Sequence, residues 1–262
     1  MSSLLATNDG AVRILTLNRP EVRNALDRQL RLDLSTALDV AESEPGVRAL
    51  VLTGSGAAFC AGMDLGELES LPDRGEEGHL EDSRELARLF RRLYSISKPV
   101  VAAVNGHAVA GGAGLASVCD VVIMSEDAKL GYTEARIGFV AAVVSVFLTR
   151  MAGERVAREL LLEARPVSAH EAKARGVVSE VLPAERVLER AVELAGTLAK
   201  NSPMALAATK RLLVESSGLD LDGALDLAVK ANARARMSED LREGVRAFLE
   251  KRPPHWGGPD ET

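Results

Sequence analysis

Apolar residues along the chain follow two periods, one typical of strands and one typical of helices. Apolar or alternating runs at residues 11–17, 48–53, 100–104 and 121–124 predict four short strands. Between the first two runs, a helix is predicted from apolar residues at helical spacing, with charged residues on its other faces. The apolar residues are Leu30, Leu34, Leu38 and Ala41, and the charged ones are Arg28, Arg31 and Asp33. This alternation predicts an α/β architecture over about the first two thirds of the chain.

The last third of the chain changes character and becomes helical. Ser168 and Glu171 form a capping-box pattern that opens a short helix, and Gly176 is placed to end it. Helical periodicity then dominates residues 185–249, apart from breaks near residues 201–203 and 216–218. Residues 71–78 and 253–262 are predicted to be loops, and the first of these is predicted either to cover a ligand or to be a plain solvated loop.

Composition and charge narrow the function classes. The 262 residues are 47% hydrophobic and 27% charged, which is ordinary for a globular protein, and the net charge of -6 disfavours nucleic acid or an anionic membrane as partner. Residues 99–119 lack charge, but their glycines and polar residues argue against a membrane span. Residues 1–10 lack a secretory signal pattern, and Cys60 and Cys119 lie in no disulfide-like or metal-like spacing. We therefore expect a cytoplasmic protein.

Two segments rich in small residues each follow an apolar, strand-like run. They are residues 59–65, FCAGMDL, and residues 106–114, GHAVAGGAG. Such segments let main-chain amides approach a ligand, and two amides at one oxygen stabilise negative charge that develops on a carbonyl or thioester. Glycines in tight turns give the same local pattern, so the alternative interpretation is a pair of ordinary turns.

These segments occur in order with other motifs, and together they resemble the crotonase superfamily, which contains the enoyl-CoA hydratases and isomerases. The other motifs are LNRP at residues 17–20, NAL at residues 24–26 and AFLEKR at residues 247–252. The resemblance implies a right-handed spiral of strand-strand-helix units in residues 1–195, forming an acyl-CoA-binding core. It further implies a helical C-terminal region, residues 196–262, that builds homotrimers or dimers of trimers. The resemblance also implies that the protein uses no metal and no redox cofactor, and that coenzyme A arrives as part of the substrate.

The resemblance also assigns the catalytic positions. The amides of Met63 and Gly111 correspond to the two donors facing the thioester oxygen. Glu134 corresponds to the second catalytic glutamate of the family, whereas Gly114 stands where hydratases carry the first. From the sequence alone, the alternative for Glu134 is an ion pair with Arg136 on a solvated edge.

Other residues are assigned to coenzyme A or to support. By resemblance, Arg23, Asn24 and Ala25 lie near the nucleotide, and Ala61, Asp64, Leu65 and Gly66 lie near the adenine and pantetheine, with Phe248 and Lys251 reaching the ligand from the C-terminal part. Asp64 is expected to hold its own loop rather than to catalyse. A structural role is expected for His107, and Tyr132 and Thr133 are candidate hydrogen-bond partners of Glu134 or of a water.

The most concrete function implied is hydration of a 2-enoyl-CoA to a 3-hydroxyacyl-CoA through a stabilised thioester enolate. With one glutamate, the chain also fits a Δ3-Δ2 enoyl-CoA isomerase that uses Glu134 as its single base. A crotonase-type decarboxylase, thioester hydrolase or ring-forming enzyme is a further alternative, because the same pair of amides serves any enolate chemistry. A non-catalytic protein that binds coenzyme A is the last.

Overall fold

The β-strands are short and mostly apolar, and the central ones are buried along their whole length. In the computed structural model, which describes residues 2–69 and 75–257, every residue of Ala49–Gly54 and Val100–Val104 is buried. Strands buried on both faces read as continuous apolar runs, as these do. The strands are β1 (Leu4–Asp9), β2 (Val12–Leu17), β3 (Ala49–Gly54), β4 (Ala58–Cys60), β5 (Val100–Val104), β6 (His107–Val109), β7 (Val121–Ser125), β8 (Lys129–Gly131), β9 (Val167–Ser168) and β10 (Glu180–Leu182).

The strands form two sheets, and consecutive strands are shared between them. One sheet has the order β1-β2-β3-β5-β7-β10 and the other has the order β4-β6-β8-β9. Thus β3, β5 and β7 pair in parallel in the first sheet, while β4, β6 and β8, which follow them in the chain, pair in parallel in the second. Each repeat contributes one strand to each sheet and then a helix, which is the strand-strand-helix spiral expected for the fold.

The helices end where their sequences change. They are α1 (Arg28–Ser43), α2 (Leu65–Glu69), α3 (Gly75–Ser95), α4 (Gly111–Ser117), α5 (Ala142–Ala152), α6 (Glu154–Glu163), α7 (Ala169–Ala174), α8 (Ala184–Ala199), α9 (Pro203–Ser216), α10 (Leu221–Ala235) and α11 (Glu239–Glu250). Side chains of Asp27, Ser168, Ser202 and Ser238 accept hydrogen bonds from amides in the first turns that follow them, which satisfies donors the helices leave unpaired. No helix in the described ranges is long and apolar enough to cross a membrane.

The core lies on both faces of the first sheet. Leu50 and Leu52 of β3 pack into the larger cluster between the sheets and α1, whereas Val51 packs into a second cluster on the opposite face. Helix α8 covers that second face with Val187, Ala191, Ala195 and Ala199, spaced four residues apart along one stripe. The expected division after residue 195 therefore falls inside a helix that packs on the sheet as one element.

The predicted strands at residues 11–17, 48–53, 100–104 and 121–124 are confirmed to within one residue. The helical last third is also confirmed, with a further break at residues 236–238. Strand β1, which pairs antiparallel with β2, was not predicted from the sequence.

Two expectations were wrong in ways that affect the site. The predicted loop at residues 71–78 is helical from Gly75, and residues 71–74 lie outside the described ranges, as does the tail from residue 258. Arg31 was expected on a polar face of α1, but it is only 3% exposed. Its burial is compensated by ion pairs with carboxylates of α2 and α3.

Candidate active site

A cavity of about 660 Å³ lies where the parallel strands β4, β6 and β8 end. The carboxyl ends of parallel strands meet at one edge of their sheet, so the residues that follow them come together although they are distant in the chain. Met63 follows β4, Gly111 follows β6 and Glu134 follows β8, and all three line the cavity. The cavity is closed by α3 and by the start of α5, mostly with apolar side chains.

The Met63 amide is left without a protein partner by the way its segment pairs. The Leu26 amide donates to the Gly62 carbonyl at 2.7 Å, and the Asp64 amide donates to the Leu26 carbonyl at 3.3 Å. In such a parallel bridge the middle residue turns its own N–H away from the partner segment. Within the described chain, the Met63 N–H donates no hydrogen bond, so it is free for a ligand.

The Gly111 amide is presented by an unusual backbone conformation. Ala110, which precedes α4, has φ 51° and ψ −124°, and its own amide donates to the Gly131 carbonyl at 2.7 Å. A residue with a Cβ in this region stores about 1–3 kcal/mol of strain, and such strain is characteristic of functional sites. As the first residue of α4, Gly111 has an N–H without a partner inside the helix.

The two amides lie close to each other. A Cβ placed on Gly62 would be 3.3 Å from the Gly111 nitrogen, and a Cβ placed on Gly111 would be 4.0 Å from the Met63 nitrogen. The loops approach this closely because neither Gly62 nor Gly111 carries a side chain. Two unpaired donors on loops that approach each other this closely can bind one oxygen and stabilise negative charge on it.

Glu134 begins a 3-10 turn and is almost enclosed. It is 8% exposed, and its Oε2 atom accepts no hydrogen bond from the described residues. Burial raises the pKa of the Glu134 carboxyl above its ordinary value, because the charged form loses water. No ion pair joins it to Arg136 among the described side chains, so the alternative of a solvated ion pair is not what the structure shows.

The space beside Gly114 is filled by apolar side chains. A Cβ at this position would lie 2.6 Å from Val144 Cγ2 and 2.7 Å from Phe90 Cε2. Phe90 is itself packed against Phe147, with ring centroids 6.2 Å apart. A carboxylate at position 114 therefore has no room in this packing, and Glu134 is the only one of the two glutamate positions implied by the resemblance that holds a carboxylate.

The loop residues assigned by resemblance hold one another in place. Asp64 accepts from Arg19 Nη1 at 3.0 Å and from the Gly66 amide at 2.9 Å. Buried Asn24 spends its side chain on backbone groups, accepting from the Arg19 amide and donating to the Ala58 carbonyl. Ala61 lines the cavity, Ala25 is buried, and the side chain of Leu65 lies outside the described part of the structure.

Three assigned residues lie away from the cavity within one chain. Phe248 is 82% exposed on α11, and Lys251, at φ 54°, ends the same helix. Arg23 is exposed in a left-handed conformation that follows a 3-10 turn. Of the residues assigned to catalysis or to coenzyme A that the structure describes, only Met63, Gly111, Glu134 and Ala61 line the cavity of a single chain.

The neighbouring polar residues have structural partners. His107 is exposed, and its Nδ1 accepts from the Lys129 amide at 3.1 Å. Tyr132 is buried, and its hydroxyl pairs with Ser117 Oγ at 2.5 Å rather than with Glu134. Since Ser117 Oγ donates to the Ala113 carbonyl, the tyrosine is the donor of that pair. The bond joins the segment before Glu134 to α4, the helix that begins at Gly111.

One face of α3 also lines the cavity, and this face was not predicted from the sequence. His79, Asp82, Ser83 and Leu86 all border the cavity at helical spacing. Arg31 borders it from α1. The spacing of residues 79, 82, 83 and 86 does indicate that they share one helix face. The local sequence does not indicate, however, which face of a helix borders a cavity.

Comparison with known proteins agrees with this geometry. The family model described as enoyl-CoA hydratase/isomerase matches residues 7–259. A Thermus thermophilus protein named putative enoyl-CoA hydratase is 52% identical over 253 residues, covering 97% of this chain and 100% of the relative. The 2,3-dehydroadipyl-CoA hydratase of Escherichia coli is 36% identical and covers 98% of this chain and 100% of its own.

Solved structures agree as well. The crystal structure of an enoyl-CoA hydratase from Bacillus anthracis superposes with a TM-score of 0.91 at 32% identity, covering 98% of this chain and 100% of that one. One from Polaromonas sp. JS666 has a TM-score of 0.91 at 33% identity and covers 97% and 99%. With the match along nearly the whole length and the paired amides beside Glu134, the chain belongs to the enoyl-CoA hydratase/isomerase family of the crotonase superfamily.

Proposed function

We propose that this enzyme adds water to a 2-enoyl-CoA and gives a 3-hydroxyacyl-CoA. The observation that carries this proposal is the meeting of two unpaired amides, from Met63 and Gly111, with an enclosed Glu134 carboxyl around one mostly apolar cavity. The amides bind the thioester oxygen, and the apolar wall receives the acyl chain.

The chemistry balances with one carboxylate. Glu134, ionised, accepts a proton from water as the water oxygen bonds to C3 of the acyl group. The electron pair of the C2–C3 double bond moves into the thioester, which becomes an enolate held by the two amides. When the enolate collapses, Glu134 returns the proton to C2. One water molecule is consumed, and the carboxylate is regenerated.

The environment of Glu134 suits both halves of this sequence. A general base that must later act as an acid works best when its pKa lies near the working pH. Burial raises the pKa of Glu134 in that direction. The unpaired Oε2 is a further sign that the carboxyl is not committed to a structural partner.

Isomerisation is the second candidate, and the packing at Gly114 favours it. A base that takes a proton from C2 of a 3-enoyl-CoA and returns it to C4 needs no second carboxylate to orient water. Val144 and Phe90 fill the space beside Gly114, which leaves an apolar wall where hydratases place a glutamate. Decarboxylation and thioester hydrolysis use the same pair of amides, but no particular residue in the described cavity favours them.

The test is to incubate the enzyme separately with crotonyl-CoA and with a 3-enoyl-CoA, to separate the products by chromatography and to measure their masses. Gain of one water by crotonyl-CoA supports hydration, and conversion of the 3-enoyl-CoA without change of mass supports isomerisation. In D₂O, hydration places one deuterium on C2. If coenzyme A binds but neither substrate reacts, the chain is a binding protein and both activities are refuted.

Glu134→Gln supplies the decisive variant. It keeps the shape of the side chain but cannot accept the proton, so we expect turnover to fall by about 10²–10⁴-fold. The matched control is Glu126→Gln, an exposed glutamate away from the cavity, which leaves turnover unchanged. Equal activity of the two variants would remove Glu134 from the mechanism.

We further propose that this enzyme of fatty acid metabolism works as a trimer or a dimer of trimers, in which Arg23, Phe248 and Lys251 reach coenzyme A. Support comes from apolar side chains exposed on α9 to α11, including Leu221 and Phe248, which a partner subunit would cover. Sedimentation of the purified protein tests the assembly. An Arg23→Ala variant that raises KM for crotonyl-CoA without lowering kcat would support the ligand contact.

No metal or redox cofactor enters the proposed steps, since water and a carboxylate supply every proton. We therefore expect activity to survive dialysis against a chelator. We also place the enzyme in the cytoplasm, where Cys60 and Cys119, both buried and unpaired, would stay reduced. Cell fractionation tests this placement.

A further inference from the structure

The wall of the cavity contributed by α3 is polar where a plain acyl chain would favour an apolar surface. His79, Asp82 and Ser83 lie at successive positions of one helix face, and Leu86 continues the same face one turn later. Elsewhere the wall includes Ile137, Val140 and other apolar residues that precede or begin α5. The cavity therefore has two kinds of wall, one apolar and one with hydrogen-bonding groups.

Arg31 lies behind the polar face and has unused donors. Its side chain is 4% exposed, and its Nη2 atom contacts Asp82 Oδ1 at 2.7 Å and Glu67 Oε2 at 3.2 Å. Both ion pairs use the same nitrogen. Its Nε and Nη1 atoms are buried and have no hydrogen-bond partner among the described residues.

Unpaired guanidinium donors are unusual in a folded protein. Most buried polar atoms form hydrogen bonds. Leaving such an atom without a partner destabilises the fold by more than an ordinary hydrogen bond stabilises it. Arg31 borders the cavity, and because its Nε and Nη1 atoms are themselves enclosed, an acceptor in the cavity reaches them when the side chain shifts. The partners it lacks are acceptors, and an oxygen of a bound acyl group is an acceptor.

We propose that the cavity selects enoyl-CoA substrates whose acyl chain carries an oxygen beyond the enoyl unit, bound by Arg31 with His79 and Ser83. A hydroxyl and a carboxylate share this chemistry, and the experiment separates them. The inference rests on the proposed function, because it assumes that the acyl group lies in this cavity. It adds a substrate class that Met63, Gly111 and Glu134 do not specify.

The test compares three acyl groups of equal length with the wild-type enzyme. They are hex-2-enoyl-CoA, its hydroxylated form with the hydroxyl on C5 or C6, and 2,3-dehydroadipyl-CoA, which ends in a carboxylate. We expect kcat/KM for the better of the two oxygenated substrates to exceed that for hex-2-enoyl-CoA by about 10-fold to 100-fold. Equal or higher kcat/KM for hex-2-enoyl-CoA overturns the proposal.

Variants then ask whether Arg31 is responsible. Arg31→Lys keeps the charge that Asp82 and Glu67 require but removes the planar fork of donors, so it avoids leaving buried carboxylates without a cation. We expect the preference, measured as the ratio of kcat/KM for the oxygenated substrate to kcat/KM for hex-2-enoyl-CoA, to shrink to less than about 3-fold. Ser83→Ala, which leaves the ion pairs intact, is expected to reduce the preference by a smaller factor.

The matched control is Arg28→Lys. Arg28 lies on the same helix, pairs with Glu85 and does not border the cavity, so its variant keeps the wild-type preference. An unchanged preference in both Arg31→Lys and Ser83→Ala overturns the assignment. If none of the three substrates is turned over, the proposed function fails instead. Calorimetric binding of the saturated six-carbon acyl-CoA and its hydroxylated form to the same variants then still decides the selectivity.

Discussion

Gly62 lies in the loop that presents the Met63 amide, where that loop contacts the one that presents the Gly111 amide. Replacing Gly62 by alanine tests whether the close approach of the two loops matters. Gly62 has φ +92°, and an added Cβ would lie 2.9 Å from both Ala110 Cβ and the Val109 carbonyl oxygen. The same Cβ would lie 3.3 Å from the Gly111 nitrogen. Since neighbouring backbone cannot rotate away as a flexible side chain can, the methyl group must push the loops apart.

Two costs add and one gain offsets them. A residue with a Cβ in the left-handed region costs about 1–2 kcal/mol, and forcing a methyl into packed surroundings costs about 1–3 kcal/mol. Reduced freedom of the unfolded chain returns about 0.4–1 kcal/mol. We therefore expect Gly62→Ala to lower the free energy of unfolding by about 2–4 kcal/mol. Displacement of one amide from the thioester oxygen is expected to lower kcat by about 10²–10³-fold.

The matched control is Gly176→Ala at the end of α7. Gly176 has φ +78° and no atom within 4 Å of an added Cβ, so this variant carries the backbone strain without the contact. Because the same gain from the unfolded chain applies, urea unfolding should show a net loss of about 1 kcal/mol for the control, and kcat with crotonyl-CoA should stay at the wild-type value. If Gly62→Ala unfolds like the control, or keeps full kcat, the reasoning about the two amides is refuted.

Three further predictions concern the residues around these amides. Above the ordinary pKa of a glutamate, native Glu134 retains a proton that the unfolded chain releases. Wild-type stability is therefore expected to fall as pH rises towards the raised pKa of Glu134, and Glu134→Gln should lack this fall. A difference in melting temperature between the two proteins that is the same at every pH would contradict this prediction. Gly114→Ala is expected to lower the free energy of unfolding by about 1 kcal/mol despite the better helix propensity of alanine, because the methyl group meets Val144 and Phe90. In Gly196→Ala the methyl group meets no neighbour, so the free energy of unfolding should rise by about that amount. Urea unfolding that ranks the two variants in the opposite order would refute this prediction. Tyr132→Phe should lower stability by about 1 kcal/mol in thermal unfolding through loss of the bond to Ser117, and an unchanged melting temperature would show that the bond contributes nothing.

Local patterns predicted the elements well where burial repeats within a few residues. The runs that became β3 and β5 are apolar throughout because both of their faces are buried, and a run of that kind is visible in any window of the sequence. The capping pattern of Ser168 and Glu171 was also readable, and the Glu171 amide does donate to Ser168 Oγ. Short strands such as β9, with two residues, carry too little pattern to detect.

Burial of a charge was not readable. Arg31 fits a polar position on the α1 wheel, and only its ion pairs with Glu67 and Asp82, 36 and 51 residues away, let it be enclosed. The filling of the space beside Gly114 depends in the same way on Phe90 and Val144, which come from two other helices. The sequence shows that the residue at position 114 has no side chain, but it does not show which side chains fill the space beside it.

The sequence alone determined the order and type of the main elements, the two glycine-containing segments and the glutamate at position 134. These features depend on neighbouring residues and on motifs in a fixed order. Only the tertiary structure decided that the segments of Met63 and Gly111 approach each other and share one cavity with Glu134 and with a polar face of α3. The physical reason is that these groups follow the parallel strands β4, β6 and β8, and pairing between strands far apart in the chain sets their distances.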